Sequence, residues 1–411
     1  MLLKRLTMSV LIGLCIAACA WSQNAAQLGN DAFAEGRFAE AVVQYRRALD
    51  EAPTFAVQIN LAHCYMKLER WTEAAASYQA AIELDRAAAT SEIWLFLGQA
   101  QYQAQRYRPA LEAFLQADPT KGDGQASIWA ARCLIELEQW LGARTVLQVH
   151  LSRHPSNIEA LELLAHVLGR MDNLAGVIDT YRALTRAVPG HTPYRIALAN
   201  ALAIRGDNRQ AIDTLELARR LDPTGSERID RLLADLYLAE KMPHEAARCY
   251  ARTVGAQEKP GSDDYFRLSM AYFESKEYSS AGEALSNMQQ ADPNDSNADL
   301  YLGRIAFEQA DWDQAESHYE AALRKKPNST DALLALAQLQ MTQKRYVEAA
   351  PHFARAIELG RMSPQVYYNH ILALLHTPAR TQEVKAALKA ALAQHPADRS
   401  LQQLLDRYVA P

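Results

Sequence analysis

A small residue followed four positions later by a large one recurs along the chain, and the pair itself repeats. The small anchors are Ala41, Ala74, Ala110, Ala143, Val177, Ala211, Ala246, Ala281, Ala315, Ala349 and Val384. Their large companions are Tyr45, Tyr78, Phe114, Leu147, Tyr181, Leu215, Tyr250, Leu285, Tyr319, Phe353 and Leu388. Residues four apart share one face of a helix, so each pair predicts a helix with a buried side. Twelve positions before the anchor stands a second small residue: Gly29, Ala62, Gly98, Ala131, Ala165, Ala199, Ala234, Ser269, Gly303 and Ala337. Two small residues facing each other let paired helices cross closely, with the large residue wedged beside them. Leu372 alone breaks the rule and predicts a looser final pair.

Successive anchors lie 33, 36, 33, 34, 34, 35, 35, 34, 34 and 35 residues apart. The first copy reads Leu28-Gly29, Gly36-Arg37-Phe38, Ala41, Tyr45, Ala48-Leu49 and Pro53, and a late one reads Leu302-Gly303, Trp312, Ala315, Tyr319, Ala322-Leu323 and Pro327. Motif and period resemble the tetratricopeptide repeat family, whose unit is a helix–turn–helix of 34 residues. The resemblance covers about Gln23 to Asp398 and implies an all-α, α–α superhelix of about eleven repeats. Length alone would argue for two or three domains. Stacked repeats that cannot bury their apolar faces alone predict one continuous solenoid instead.

Pro53, Pro155, Pro189, Pro223, Pro293, Pro327 and Pro396 stop second helices, because Pro cannot continue one without losing a hydrogen bond. Arg86 and Arg361 stand where Pro is expected, which predicts more continuous joints there. Copy three, with Asp118, Pro119 and Lys121-Gly122-Asp123-Gly124, predicts a shortened second helix. Copy seven ends in a predicted long loop around Lys259-Pro260-Gly261. Leu401, Leu404, Leu405 and Tyr408 sit at helical spacing within 399–411 and predict a capping helix over the last copy.

The first residues predict an export signal at 1–18. Lys4 and Arg5 supply the basic start, and an apolar run from Leu6 to Ala18 is too short to span a membrane comfortably. Two cleavage readings compete at its end. Ile16-Ala17-Ala18-Cys19 resembles a bacterial lipobox, which implies lipid on Cys19, a tether over 19–22 and an outer membrane lipoprotein facing the periplasm. Ala18-Cys19-Ala20 instead fits ordinary signal peptidase and a soluble periplasmic or secreted chain. In both, the destination is the bacterial envelope, and membrane contact is expected only through a lipid on Cys19. Cleavage removes two basic residues and moves the formal net charge from -5 to -7.

That balance disfavours neutralising phosphates along nucleic acid. The basic run Arg324-Lys325-Lys326 falls in the last turn of a helix, where the dipole accounts for it. The chain carries no complete catalytic or metal-binding motif, so no catalytic residue, metal or cofactor is expected. Pro243-His244-Glu245-Ala246-Ala247-Arg248 begins like a zinc-protease helix, but Arg248 stands where the second His must be. His150 and His154 share a face without an evident third ligand, and Asp292, Asn294 and Asp295 lack the Gly and Glu of a calcium loop. Cys64, Cys133 and Cys249 belong to copies that are not neighbours, so no disulfide is expected among them.

Family geometry implies that first helices line the concave side of such a stack. Register places Phe266, Met270, Phe273, Leu300, Arg304, Phe307, Leu334 and Met341 there. A Met- and Phe-rich groove suits an amphipathic helix or a hydrophobic extended segment. Packing between adjacent first helices also wants bulk at these positions. The family mode that holds a C-terminal carboxylate finds Asn30 and Asn60 in place, but Ala26, Glu92 and Phe96 where it needs cations. The expected function is therefore a non-enzymatic scaffold binding a segment of another envelope protein in its groove. The alternative is a structural chain that self-associates into dimers or filaments.

Overall fold

The computed structural model describes residues 24–117, 124–223, 226–377 and 381–408, all helices and turns with no strand among them. The proposed signal, Cys19 and tether lie outside the described residues. The backbone divides into two compact units, 1–206 and 207–411. The first holds α1 (24–34), α2 (Phe38–Glu51), α3 (Phe55–Lys67), α4 (Trp71–Leu84), α5 (Ser91–Gln103), α6 (Tyr107–Gln116), α7 (Gln125–Glu136), α8 (Trp140–Arg153), α9 (Ile158–Arg170), α10 (Leu174–Ala187) and α11 (Thr192–Arg205). The second holds α12 (Asn208–Leu221), α13 (Ser226–Ala239), α14 (Pro243–Ala256), α15 (Ser262–Glu274), α16 (Tyr278–Ala291), α17 (Ser296–Glu308), α18 (Trp312–Lys325), α19 (Thr330–Thr342), α20 (Tyr346–Glu358), α21 (Pro364–Leu375), α22 (Thr381–Gln394) and α23 (Arg399–Tyr408). Within each unit, helices pack against their neighbours in chain order, as a stack of hairpins requires.

The anchor pattern explains the pairing. Ala41, Ala74, Ala110, Ala143, Ala211, Ala246, Ala281, Ala315 and Ala349 are all fully buried. Opposite them the first helix brings its small residue against the large side chain of the second. A Cβ added to Gly29 would stand 2.6 Å from the Tyr45 ring, one on Gly98 2.5 Å from Phe114, and one on Gly303 2.6 Å from Tyr319. Each glycine of this position is matched by an aromatic ring that fills the space a side chain would have taken. In the last copy the small position is taken by Leu372. It packs half-buried against the last core, where its companion is the shorter Leu388.

Among the described residues, ten hairpin turns are each built on one residue with positive φ, five positions before the anchor. Gly36 and Gly206 supply it without strain, while Glu69, Gln105, Glu138, Asp172, Lys241, Lys276, Ala310 and Lys344 adopt it at φ between 53° and 62°. The next residue's N–H reaches back to the carbonyl five positions earlier; Arg37 to Ala32 and Arg70 to Tyr65, both 2.8 Å, and Asp311 to Ala306, 2.9 Å, are typical. This closure satisfies the carbonyls that the end of a helix leaves open. Ala310 gains nothing from its Cβ in this conformation. Ala310→Gly is therefore expected to raise stability by about 0.5–1 kcal/mol in thermal unfolding, the left-handed strain outweighing the added freedom of the unfolded chain. A loss of stability would show that the turn is held by something other than backbone conformation.

The joints depart from expectation in two places. Arg86 and Arg361 do not make them continuous: α4 stops at Leu84 and α20 at Glu358. Asp85 turns extended, its carboxylate accepting from the N–H groups of Ala87 (3.0 Å) and Ala88 (3.1 Å), and Gly360 takes φ +97°. Local turn chemistry thus stops these helices where Pro is missing. The loop after copy seven spans only 257–261, shorter than the 85–90 link after copy two. Copy three does have a short second helix, α6 being 10 residues long where α4 and α8 have 14. At the C-terminus α23 covers the last core with Leu401 and Leu404, while Tyr408 stays exposed beneath the Arg407 guanidinium, 5.3 Å from its ring centre.

Cys64, Cys133 and Cys249 are free and buried. Burial pushes the Cys64 and Cys249 thiols up to about 11 and Cys133 up to about 12, which keeps them protonated and poorly nucleophilic.

Two charged clusters have no counterpart in the apolar pattern. Asp230, 1% exposed, accepts from Arg252 Nη2 (2.7 Å) and Nε (3.1 Å) and from Arg219 Nη1 (3.2 Å). Arg219 also pairs with Glu216, which takes the Tyr237 hydroxyl at 3.0 Å. Asp299 is likewise buried, with Lys325 Nζ at 2.6 Å and Gln289 Nε2 at 2.8 Å. Lys325 is therefore a partner of a buried carboxylate as well as a helix-end cation. Both aspartates stand sixteen residues before their anchors, on the side of the first helix that meets the preceding repeat.

Candidate functional site

Four first helices of the second unit, α15, α17, α19 and α21, open a cavity of about 490 Å³ along one face. Phe273, Arg304, Phe307 and Leu334 all line it, so half of the sequence-derived groove residues come together. The register explains the convergence. Phe273 and Phe307 are equivalent positions of consecutive repeats, and each ring packs against the aromatic that opens the following helix, Phe307 edge-on. Phe307 lies 5.3 Å from Trp312, and Phe273 lies 5.7 Å from Tyr278 at a tilt. These contacts leave the phenyl groups half-buried, with part of each surface in the cavity.

The other four residues are placed differently. Leu300 is only 4% exposed and belongs to a core with Ala332 and Leu336 of α19. Packing between adjacent first helices has taken it out of the groove, which corrects its assignment. Phe266 packs edge-on to Tyr301 at 5.2 Å, and Met341 packs against the C-terminal core. Met270 is half-buried. None of these three lines the cavity.

Several lining residues were missed by the register argument. Val366 and Asn369 of α21 come from the last copy, where Asn369 holds the position of Leu334, and Val366 that of Asp331. Carrying the register one repeat further would have found Asn369, but not Val366, whose register was not assigned to the groove. Tyr319 and Phe353 come from second helices. The missing side chain of Gly303 leaves the Tyr319 ring room beside the first helix, so the rule that closes the hairpin also supplies the groove with an aromatic wall.

The polar groups of the cavity are few and placed at its edge. Arg304 lies over the Tyr301 ring, 4.6 Å from its centre, and among the described residues no carboxylate pairs with it. Asp331, by contrast, is held by Arg361 Nη2 at 2.6 Å. Asn369 Nδ2 donates to Gln338 Oε1 at 3.5 Å and Asn369 Oδ1 accepts from Gln365 Nε2 at 2.9 Å. Burial pushes the Tyr319 hydroxyl up to about 12, with Glu308 raising it further and Arg304 opposing. It is a neutral group at neutral pH. The cavity thus offers aromatic rings, the Arg304 guanidinium, the carboxylates of Glu308 and Asp331 and two carboxamides, a set suited to holding a ligand.

On the corresponding face of the first unit, polar and aromatic side chains pair with one another. Asn30 Oδ1 accepts from both the Tyr45 hydroxyl (2.8 Å) and Asn60 Nδ2 (3.1 Å), and His63 packs edge-on to Phe96 and Tyr78 at 5.3 and 5.6 Å. Between α7 and α8, His150 and His154 have ring centres 4.9 Å apart, and among the described residues no group of three potential metal ligands occurs. Burial, with His154 adding to it, holds the His150 imidazole below its ordinary value.

Comparison with known proteins gives the following matches. The tetratricopeptide repeat family model matches residues 27–92, 59–123 and 300–366. Sperm-associated antigen 1 of Mus musculus is 42% identical over 57 residues, 14% of this chain and 6% of that protein. The Rattus norvegicus counterpart is 40% identical over 57 residues and 6% of its length, so the chain spans only a small part of either relative. Among solved structures, yeast Tom70 aligns at a TM-score of 0.38 with 14% identity over 95% of both chains. PilF of Pseudomonas aeruginosa aligns at 0.41 with 20% identity, covering 53% of this chain and 97% of that one. With helical hairpins throughout, a left-handed residue at one register of ten turns and three matches to the family model, the chain is a tetratricopeptide repeat protein.

Proposed function

We propose that this chain is a non-enzymatic scaffold of the bacterial envelope that binds a segment of another protein across the α15–α21 face. The observation that carries the reading is the convergence of Phe273, Phe307 and Leu334 with Arg304, Gln338 and Asn369 around one cavity. Half-exposed aromatic rings give an apolar anchor side chain somewhere to go. Carboxamides at the rim pair with backbone amides of any sequence, because each carries both donors and acceptors. Arg304 and Glu308 then set which charges the segment brings alongside. An amphipathic helix or an extended strand meets these demands with one face. The envelope location rests on the residues of 1–19, with Lys4 and Arg5, the apolar run and Cys19 in order.

The test separates binding from folding. Arg304→Glu, Gln338→Ala and Asn369→Ala combined alter the cavity rim while leaving the aromatic packing in place. The triple variant is expected to lose about tenfold or more in capture of partners crosslinked in cells, about 1.4 kcal/mol, with its melting temperature unchanged. Undiminished capture would remove this face from the function. Labelling by a fatty-acid analogue is expected in the wild type and not in Cys19→Ser; absence of label in both would leave a soluble exported chain.

A further inference from the structure

Two arginines of the first unit lack the acid that their counterparts have. Among the described residues, arginine precedes the second helix in four repeats. Arg37 pairs with Glu40, Arg70 with Glu73 at 2.6 Å, and Arg345 with Glu348, each a glutamate three residues on. After Arg106 the third residue is Pro109. Arg86 and Arg361 replace the helix-stopping proline in their copies. Arg361 meets Asp331, thirty residues earlier, at 2.6 Å. Thirty residues before Arg86 is Ala56, and among the described residues neither Arg86 nor Arg106 has an ion-pair partner.

Both unpaired guanidiniums line the same cavity, about 630 Å³, between α4 and the α5–α6 hairpin. Its wall also carries Gln101, 8% exposed, whose carbonyl Oε1 has no donor. A buried carbonyl left without a partner is costly, so this one calls for a donor. Glu112 on the same wall is a further acceptor, and Trp94 adds an aromatic surface. Trp94 occupies the register at which copies seven and nine bury an aspartate against the preceding repeat, so copy three has exchanged a buried charge for a ring.

We propose that this cavity binds a small hydroxylated anion, namely a monosaccharide bearing a carboxylate or a phosphate. The anionic group answers Arg86 and Arg106, since a guanidinium presents paired donors to carboxylate or phosphate oxygens. Hydroxyl groups answer Gln101 and Glu112, which a bare anion without donors cannot satisfy. The apolar face of a sugar ring meets Trp94, and the volume lies in the range of small-molecule sites. The site belongs to the first unit and is independent of the protein-binding reading above.

Calorimetric titration of the full chain with four probes tests it: glucuronate, glucose 6-phosphate, glucose and inorganic phosphate. Saturable binding is expected for glucuronate, glucose 6-phosphate or both, at least about tenfold tighter than for glucose and inorganic phosphate. Which of the first two is tighter identifies the anionic group. Pro109→Glu and Ala56→Asp restore the missing acids while keeping both arginines, so the combined variant is expected to fold with unchanged circular dichroism and to lose about tenfold or more in affinity. Arg86→Ala with Arg106→Ala is expected to do the same. Equal binding of inorganic phosphate, affinity unmoved in both variant pairs, or no saturation by either sugar acid up to about 10 mM would each overturn the proposal.

Discussion

Asp230→Ala is expected to destabilise the protein by about 3–5 kcal/mol, the cost of breaking a buried ion pair from one side. The carboxylate is shared by Arg219 and Arg252 from the two flanking second helices, so its removal leaves two guanidiniums facing each other without an anion between them. Urea unfolding should show the midpoint falling with little change of slope, since the native surface changes little. Asp299→Ala, at the same register with a single lysine partner, should cost less. If Asp230→Ala cost under about 1 kcal/mol, both arginines would have to reach solvent freely, and the cluster would be peripheral rather than a tie between repeats.

Gly98→Ala is the second large effect. Its Cβ would stand 2.5 Å from Phe114, a ring that is fully buried and has nowhere to retreat, so an overpacking loss of about 1–3 kcal/mol is expected. The chain itself supplies the remedy. Where the first helix has alanine in place of glycine, the second can carry leucine, as in Ala131 with Leu147. Adding Phe114→Leu to Gly98→Ala is therefore expected to recover much of the loss, although Phe114→Leu alone opens a cavity and destabilises. A double-mutant cycle in thermal unfolding reads the coupling directly. Simple additivity would mean that the two positions do not compete for one space, and the explanation of the glycine pattern would fail.

The hairpin fold was legible because it rests on local spacing. Small residues at the anchor and twelve before it, with a large residue four after, state which faces meet. The hairpins of Gly29, Gly98 and Gly303 are closed around that arrangement. The turns were less legible. Eight of the ten left-handed residues are not glycine, and Glu69 or Lys276 gives no sign of positive φ in a sequence. The carbonyl-closing bond of the hairpin overrides their preference. Arg86 and Arg361 misled for a related reason: the missing prolines pointed to longer helices, but Asp85 and Gly360 stop the chain through their own turn chemistry.

The groove was legible only in part. Repeat register put Phe273, Arg304, Phe307 and Leu334 on one face, and they line one cavity. It could not tell Leu334 from Leu300, which have the same register and different burial, because exposure depends on what the next repeat places opposite. Nor could it find Tyr319, which reaches the groove from a second helix.

The amino-acid order alone decided the repeating unit, its period, which residues cross and where each hairpin ends, since all of these are set by contacts a few residues or one repeat apart. Only the tertiary structure decided which charges are consumed and which remain. Pairing Asp331 with Arg361 while leaving Arg304, Arg86 and Arg106 without carboxylates depends on distances between side chains about thirty residues apart. Electrostatic pairing falls off over a few ångströms, and a periodic pattern fixes neighbours without fixing those last ångströms.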